Sequence, residues 1–322
     1  MNTATQLPEA FLRRLRLILP SDAVYHEVIT SFLMPKLVSF RINRLKVNPQ
    51  AVMTGLKGAG IRATAFDYWP HMFHCPAENR AMLLSHPFAE NGLIYIQNPS
   101  SLLAALLLAP MPGETVLDLA AAPGGKTLIL AELMENTGQI SAVEAVKPRF
   151  FKLRHILELH GAKNVKTYLQ DGKTVGFKCQ GRFDRTLLDA PCSSEARFSI
   201  QEPASWSHWS EKKIQELARK QKQLLFSAIQ ATKPGGIIVY CTCSFAPEEN
   251  EMVVNHVLKK LPDGIGLLPV ELPIANLQRG LTHWNDKEMS PELVKTARIL
   301  PDNVYNAMYL AVFIKGQFSR AP

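Results

Sequence analysis

The chain has 322 residues, of which 47% are hydrophobic and 20% are charged. This composition is typical of a globular protein with a full core, and it excludes a disordered or fibrous chain. The net charge of +8 favours a polyanionic partner, and the longest aliphatic stretch, residues 102–109, is too short to span a bilayer. Five irregularly spaced cysteines do not fit a disulfide scaffold and favour a reducing compartment such as the cytoplasm.

The N-terminal region is basic and mixes helical and strand patterns. An amphipathic helix is predicted over residues 8–19 and an alternating strand over residues 39–47, which carries Arg41 and Arg44. The first fifty residues contain seven Lys and Arg against three acidic residues. We therefore predict a small basic N-terminal α+β domain over residues 1–95, which we expect to dock RNA or another polyanion.

From about Ile96 onward, predicted strands and helices alternate along the chain. Strands are predicted over residues 114–119, 139–144, 165–169, 183–188, 236–240 and 307–314, and helices over residues 126–134, 147–160, 211–232 and 248–261. This alternation predicts a mostly parallel, doubly wound α/β sheet with helices on both faces. The second domain is placed at residues 96–316, followed by a short tail at 317–322.

A glycine-rich turn, residues 118–127 (DLAAAPGGKT), joins the first of these strands to the next helix. Pro123, Gly124 and Gly125 limit side-chain bulk, so the backbone is able to approach a ligand at the helix N-terminus. The end of the turn matches a nucleoside-triphosphate loop, but the first glycine of that motif would stand at position 120, which is Ala120. The turn therefore predicts a site for a different small anionic group, with a purely structural turn as the alternative.

Acidic residues stand at the ends of four successive predicted strands: Asp118, Glu144, Asp171 and Asp189. Ligands of doubly wound sheets bind outside these strand ends. Glu144 lies about 26 residues beyond Asp118, where a ribose-binding acid is expected, and Asp171 is suited to accept a hydrogen bond from an exocyclic amine. Solvated helix caps are the alternative interpretation of each acid taken singly.

Two cysteines follow neighbouring predicted strands, Cys192 after the fourth and Cys243 after the fifth. Adjacent strands would place these ends about 5–10 Å apart, which allows both thiols to face one cavity. Cys241 is interpreted as inert packing within its strand. Cys241 and Cys243 do not form a paired C-x-x-C site, so no metal is predicted.

Three segments resemble motifs of the RNA cytosine-5 methyltransferases of the Sun/Nop family, which use S-adenosylmethionine. They are residues 118–127, residues 189–193 (DAPCS) and residues 240–244 (YCTCS). Agreement extends to residues 97–101 (QNPSS), 233–236 (KPGG) and 249–251 (ENE). The resemblance covers residues 90–316 and, more weakly, residues 39–46. It implies a Rossmann-like class I methyltransferase fold.

The resemblance also implies a role for each matched residue. Cys243 takes the role of the nucleophile that attacks carbon 6 of cytosine, and Cys192 helps to remove the carbon 5 proton and release the adduct. Asp189 contacts the ring near nitrogen 3, and Lys126 helps to hold the base and the acid. The cofactor-binding residues implied are Ala120, Ala121, Ala122, Pro123, Gly124, Gly125, Lys126, Glu144, Arg149, Asp171 and Asp189.

The function predicted from the sequence is methyl transfer to carbon 5 of a cytosine in RNA, with ribosomal RNA favoured over transfer RNA. The alternatives are an RNA-binding protein with a non-catalytic methyltransferase fold, and a small-molecule or protein methyltransferase. The sequence continues only briefly past its last predicted strand, so we expect no C-terminal RNA-binding domain. Recognition would then use the N-terminal segment and residues 145–185, which hold ten Lys and Arg against three acids. We expect a monomer.

Two residues depart from the family pattern behind Cys192. Ser194 and Ala196 stand where many members have glycine. The departure concerns the shape of this loop, and through it the choice of substrate.

Overall fold

The computed structural model describes residues 7–316, which form two main sheets. Residues 1–6 of the predicted N-terminal domain and the predicted tail at 317–322 lie outside the described residues. Within the described part, no helix has both the length and the apolar character needed to cross a bilayer.

The N-terminal part contains an antiparallel four-stranded sheet in the strand order β2-β3-β1-β4, and its first two helices pack away from this sheet, against residues of the second part that include Phe198 and Phe245. Its strands are β1 Val38–Ile42, β2 Thr64–Phe66, β3 Trp69–Cys75 and β4 Ile94–Ile96, and its helices are α1 Glu9–Ile18, α2 Asp22–Leu33, α3 Pro49–Gly58, α4 Arg80–Leu84 and α5 Pro87–Glu90. Ser21 caps α2 by accepting a hydrogen bond from the Val24 N–H. The domain boundary predicted after residue 95 falls inside β4 and stays a prediction.

The strand predicted over residues 39–47 is wrong in its extent and in its alternation. β1 ends at Ile42, and all five of its residues are buried, because β3 and β4 pair with it on both edges and both of its faces are covered. Arg41 is only 1% exposed and forms an ion pair with Glu132. Arg41 is therefore unavailable to RNA, whereas Arg44 is exposed.

The second sheet has nine strands in the order β11-β14-β15-β9-β8-β5-β6-β7, with β10 paired to β15. Its strands are β5 Thr115–Asp118, β6 Gln139–Glu144, β7 Val165–Leu169, β8 Phe183–Asp189, β9 Thr232–Thr242, β10 Ile265–Leu268, β11 Leu277–Arg279, β14 Ala297–Ile299 and β15 Met308–Lys315, and a small hairpin comprises β12 His283–Trp284 and β13 Lys287–Glu288. The helices of this part are α6 Pro99–Leu108, α7 Gly125–Leu133, α8 Lys147–Leu159, α9 Val175–Lys178, α10 Glu211–Ala231 and α11 Glu251–Lys260. Strands β5 to β9 run parallel and β15 is antiparallel to β9, so the predicted mostly parallel sheet is confirmed.

Both faces of this sheet are buried, as expected of a doubly wound fold. Val116 of β5 packs in one apolar cluster with α6 and α7, whereas its neighbour Leu117 packs in another with α10 and α11. Because β6 and β8 flank β5 on opposite sides, the chain leaves β5 at a switch in strand order. Ligand-binding crevices form outside the strand ends at such a point.

The predicted helix over residues 248–261 starts too early. α11 begins at Glu251, and Glu248, Glu249 and Asn250 instead form the turn that leads into it. All three are buried, and this places them beside the loops that follow β8 and β9.

Candidate active site

The glycine-rich turn leaves β5 at Asp118 and enters α7 at Gly125. Gly124 has φ of +114°, a backbone conformation that side-chain-bearing residues rarely adopt. A Cβ atom at Gly125 would lie 2.9 Å from Gln97 Nε2 and 2.9 Å from a ring carbon of Tyr95. Both glycines are therefore required by the geometry of the turn, which lines two neighbouring cavities of about 130 and 410 Å³.

Asp118 ends β5 and lines the smaller cavity. Its Oδ2 atom accepts a hydrogen bond of 2.7 Å from Thr127 Oγ1. Its Oδ1 atom is buried and receives no hydrogen bond of normal geometry from the side chains and backbone of residues 7–316. Burial raises the pKa of Asp118 to about 7, because it outweighs the Thr127 hydrogen bond and the Lys126 charge, which favour the ionised form.

Glu144 ends β6, as predicted, and is linked to the glycine turn through Arg149. Its Oε1 atom accepts from the Val146 N–H at 2.8 Å, and its Oε2 atom lies 3.6 Å from Arg149 Nη1. Arg149 in turn donates to the carbonyl oxygen of Ala122 at 2.7 Å. The arginine therefore holds the acid and the turn in fixed relative positions.

Asp171 is exposed and caps the short helical turn that follows β7. Its Oδ1 atom accepts from the Lys173 N–H at 3.0 Å, and its Oδ2 atom lies 3.2 Å from the Lys173 ammonium. The cap that was the alternative interpretation is thus present, and a ligand role for Asp171 stays a prediction.

Lys126 and Asp189 form an ion pair of 2.6 Å between the glycine turn and the end of β8. Burial alone would lower the pKa of Lys126, but Asp189 and the neighbouring sulfurs reverse the effect and raise it. The ammonium is therefore charged in the folded protein. Asp189 also accepts a 3.6 Å contact from the buried thiol of Cys241, which lies behind it.

Cys192 and Cys243 lie together, as their positions after adjacent strands predicted. Their Sγ atoms are 3.2 Å apart, and the Cys243 N–H points to Cys192 Sγ at 3.3 Å. Both line the larger cavity with Ala120 and Asp189, so the thiols and the glycine turn share one space. Among residues 7–316, no group of three or more His, Cys, Asp or Glu side chains is arranged to hold a metal ion.

The two thiols are not equivalent in their protonation. A hydrogen bond from the Cys192 thiol, together with the charge of Arg197, lowers the pKa of Cys243 to about 7 against the opposing effect of burial. The same hydrogen bond raises the pKa of Cys192 well above its usual range. At neutral pH a large fraction of Cys243 is thiolate, whereas Cys192 is a thiol.

Two buried glutamates hold the loops that carry these cysteines. Glu195 accepts from the backbone N–H groups of Phe245 at 2.7 Å and Ala246 at 3.1 Å. Glu249 accepts from the Ser193 N–H at 3.0 Å and from Gln221 at 2.9 Å. Glu195 therefore links the loop after β8 to the loop after β9, and Glu249 links the turn before α11 to the loop after β8 and to α10. Without these carboxylates, the donor groups would need water as their hydrogen-bond partner.

Ser194 adopts φ of +59°, in the left-handed region that glycine tolerates best. This explains in physical terms why glycine is common there in the resembling family. The serine hydroxyl lies 3.8 Å from Cys243 Sγ, so the departure adds a polar group beside the nucleophile candidate.

The structure adds side chains that sequence reasoning did not assign to the site, Gln97 and Arg197 among them. Gln97 lines the smaller cavity, and Arg197 lines both cavities. Gln97 stands in the QNPSS motif, which was a usable signal. Arg197 stands in no motif, and only its position five residues after Cys192 could have suggested it.

Comparison with known proteins decides the family. Residues 105–314, well over half of the chain, match the profile of the family described as 16S rRNA methyltransferase RsmB/F. The chain belongs to this RsmB/F methyltransferase family. The resemblance inferred from the DAPCS and YCTCS motifs is therefore confirmed.

Curated relatives of the RsmB/F chain include ribosomal RNA small subunit methyltransferase F of Vibrio vulnificus, which is 35% identical over 297 residues, or 91% of this chain and 62% of that protein. A human 28S rRNA (cytosine(4447)-C(5))-methyltransferase is 36% identical over 272 residues, or 83% of this chain and 33% of that protein. The chain thus spans less than two thirds of the length of these relatives.

A similar solved structure is that of a methyltransferase homolog protein from Pyrococcus horikoshii. It superposes with a TM-score of 0.77 and 30% identity, covering 96% of this chain and 100% of that one. The N-terminal sheet and the nine-stranded sheet therefore both occur in a solved relative.

Proposed function

We propose that this RsmB/F chain transfers a methyl group from S-adenosylmethionine to carbon 5 of a cytosine in RNA, with ribosomal RNA favoured over transfer RNA. The observation that carries the proposal is the 3.2 Å contact between the sulfurs of Cys192 and Cys243, in a cavity that they share with the glycine turn. The names of the bacterial and human relatives support ribosomal RNA as the substrate. A reducing compartment such as the cytoplasm would keep both sulfurs reduced.

The residues around the glycine turn fit S-adenosylmethionine in the chemistry of their groups. The buried, unpartnered Oδ1 atom of Asp118 is suited to an ammonium group, and the buried carboxylate of Glu144 to vicinal hydroxyls. Residues 120–126 would lie along the ligand, with Arg149 and Asp171 flanking it. When bound, S-adenosylmethionine supplies an electrophilic methyl group on a sulfonium.

Cys243 begins the proposed reaction because it is the thiolate of the pair. Its sulfur forms a bond to carbon 6 of cytosine, and the electron pair of the 5,6 double bond becomes available at carbon 5. Asp189 and Lys126, joined at 2.6 Å, would face nitrogen 3 and supply a proton as charge develops on the ring. The ring is thereby activated for methylation at carbon 5.

Cys192 acts after carbon 5 carries its methyl group. The raised pKa of Cys192 arises first from its hydrogen bond to Cys243, then from burial, and the Cys243 charge adds to it. Once the Cys243 sulfur is bound to carbon, the two effects of Cys243 end while burial remains, so the pKa of Cys192 falls and its proton passes to solvent more readily. Its thiolate then removes the carbon 5 proton, the 5,6 double bond re-forms, and the sulfur–carbon bond breaks with its electron pair returning to Cys243. The proton on nitrogen 3 returns to the Asp189 and Lys126 pair, which leaves a neutral 5-methylcytosine.

Two alanine variants test this scheme. Cys243→Ala is expected to lose RNA methylation while retaining S-adenosylmethionine binding in isothermal titration. Cys192→Ala is expected to accumulate a covalent RNA adduct, seen as a slowly migrating band in a denaturing gel. Cys179→Ala, which replaces a free cysteine at the end of α9, is the matched control and should show neither effect.

The outcome also separates the alternative function. Methylation that persists in Cys243→Ala would remove this residue as the nucleophile. RNA binding without methylation by the parent protein would instead favour an RNA-binding protein with a non-catalytic fold. Bisulfite sequencing of total RNA from a deletion strain and from its parent identifies the substrate. The target cytosine resists bisulfite deamination in the parent, where it is methylated, and is deaminated in the deletion strain.

A further inference from the structure

Arg197 lies on the loop that follows β8, and the residue before it, Ala196, is hydrogen-bonded to the backbone of Cys243. It ends a short helical turn, Glu195–Arg197, whose preceding residue Ser194 has the left-handed backbone conformation. The Ala196 N–H donates to the carbonyl oxygen of Cys243 at 3.0 Å, and the Arg197 N–H donates to Ser194 O at 2.9 Å. The hydrogen bond from Ala196, the residue immediately before Arg197, therefore holds this loop next to Cys243.

The side chain of Arg197 lines both cavities of the site. It shares the larger one with Cys192 and Cys243, and the smaller one with Lys126 and Asp189. The buried carboxylate of Glu195, two residues earlier, is hydrogen-bonded by Trp209, Ser244 and two backbone N–H groups. These donors satisfy the Glu195 carboxylate without Arg197, which lines the cavity that holds the two thiols.

Two of the other cations around Cys243 form contacts with partners, and the third is exposed. Lys126 forms its ion pair with Asp189, and Arg149 is shared between Glu144 and the Ala122 carbonyl. Lys152 is exposed at the wall of the larger cavity. Asp189 opposes ionisation of Cys243, and the Cys192 thiol and Arg197 favour it. Arg197 is the cation among these whose charge acts most on Cys243.

We propose that Arg197 is a positioning residue that holds Cys243 as a thiolate in the free enzyme, before RNA enters the cavity. The inference rests on the proposed function in taking Cys243 as the nucleophile. A guanidinium suits this task because it stays charged at every pH at which the enzyme works. A cation beside a thiolate increases the fraction of reactive sulfur at neutral pH.

The test measures the ionisation of Cys243 without RNA or cofactor. The rate of alkylation by iodoacetamide is followed from pH 5 to 10, and peptide mass spectrometry assigns the modified cysteine. Arg197→Gln is expected to move the midpoint for Cys243 upward by about 1 to 3 pH units, the usual effect of losing an adjacent opposite charge. Arg197→Lys is expected to keep the midpoint within about half a unit of the parent's, because the charge remains.

Lys152→Gln is the matched control, because it removes one positive charge from the same cavity wall. Its midpoint should equal that of the parent. An unchanged midpoint in Arg197→Gln, or an equal rise in Lys152→Gln, would overturn the proposal. Circular dichroism confirms that each variant is folded, and should Arg197→Gln not fold, Arg197→Met, which also removes the charge, provides the same test.

The same variants separate this inference from the proposed function. Arg197→Gln is compared with the parent in the pH profile of the methylation rate. If the acidic limb of this profile shifts upward by the same amount as the alkylation midpoint, the Cys243 thiolate is the form of the enzyme that reacts with cytosine. If the alkylation midpoint shifts and the parent shows no methylation of any RNA cytosine, the role of Arg197 stands and the proposed function fails.

Discussion

Replacing Asp118 by Asn should change how the stability of the protein depends on pH. The pKa of Asp118 is raised from 3.8 to about 7, first by burial and then by Asp189, while the hydrogen bond from Thr127 opposes this. The folded protein then binds the Asp118 proton more tightly than the unfolded chain does. The stabilisation is complete below pH 4 and is lost as the pH rises through about 7.

The magnitude follows from the two pKa values. One pKa unit corresponds to about 1.4 kcal/mol, so between pH 5 and pH 8 the parent should lose about 2–3 kcal/mol more free energy of unfolding than Asp118→Asn loses. Asparagine keeps an oxygen that accepts from Thr127, and its amide replaces the oxygen that has no partner. The pKa of Glu249 is also raised, but this changes the stability of the parent and of the variant by the same amount. The contribution of Glu249 therefore cancels in the comparison.

Urea unfolding of the ligand-free parent and variant at pH 5 and pH 8 measures this difference. Parallel pH profiles would refute the argument, since they would mean that Asp118 titrates as it does in the unfolded chain. A second readout is calorimetric: at pH 6, binding of S-adenosylmethionine should release close to one proton from the parent and almost none from Asp118→Asn, because a bound ammonium favours the ionised carboxyl.

The remaining predictions concern affinity and stability. Glu144→Ala should weaken S-adenosylmethionine binding by about 1–3 kcal/mol in isothermal titration, since a hydrogen bond to a charged group is lost; equal affinity would place the ribose elsewhere. Arg41→Met should lower the free energy of unfolding by about 3–5 kcal/mol because Glu132 is left buried without its partner. Adding Glu132→Met should recover most of that loss in urea unfolding, and an equally unstable double variant would contradict the charge argument.

The parallel part of the fold was readable from the sequence because its signals are local. The strands at Gln139–Glu144 and Val165–Leu169 have the predicted bounds. The first is a short apolar run that is buried, and the second is an edge strand that lies between turn residues. The prediction failed at β1, where an alternating strand that carries Arg41 was expected in a region that docks RNA, whereas Arg41 is buried. Its burial depends on Glu132, which is 91 residues away in the chain, and no local pattern encodes such a partner.

The candidate site divides in the same way. Cys192 and Cys243 were identified because each stands in a short motif at a strand end, and parallel pairing of β8 with β9 brings the two ends together. Arg197 belongs to no motif. The sequence also does not indicate which backbone N–H groups donate hydrogen bonds to Glu195 and Glu249. Their roles depend on how two loops pack against each other, which is a tertiary property.

The different roles proposed for the two cysteines follow from their separation. At 3.2 Å, two thiolates would repel each other strongly in a half-buried cavity, so the pair holds one negative charge and one proton. Arg197 and the Cys192 thiol favour placing that charge on Cys243. Bond formation by Cys243 removes the charge and leaves Cys192 free to ionise, which makes Cys192 a base only after the nucleophile has reacted. Because the two sulfurs share one proton, attack by Cys243 on carbon 6 must precede removal of the carbon 5 proton by Cys192. This order requires no movement of the backbone.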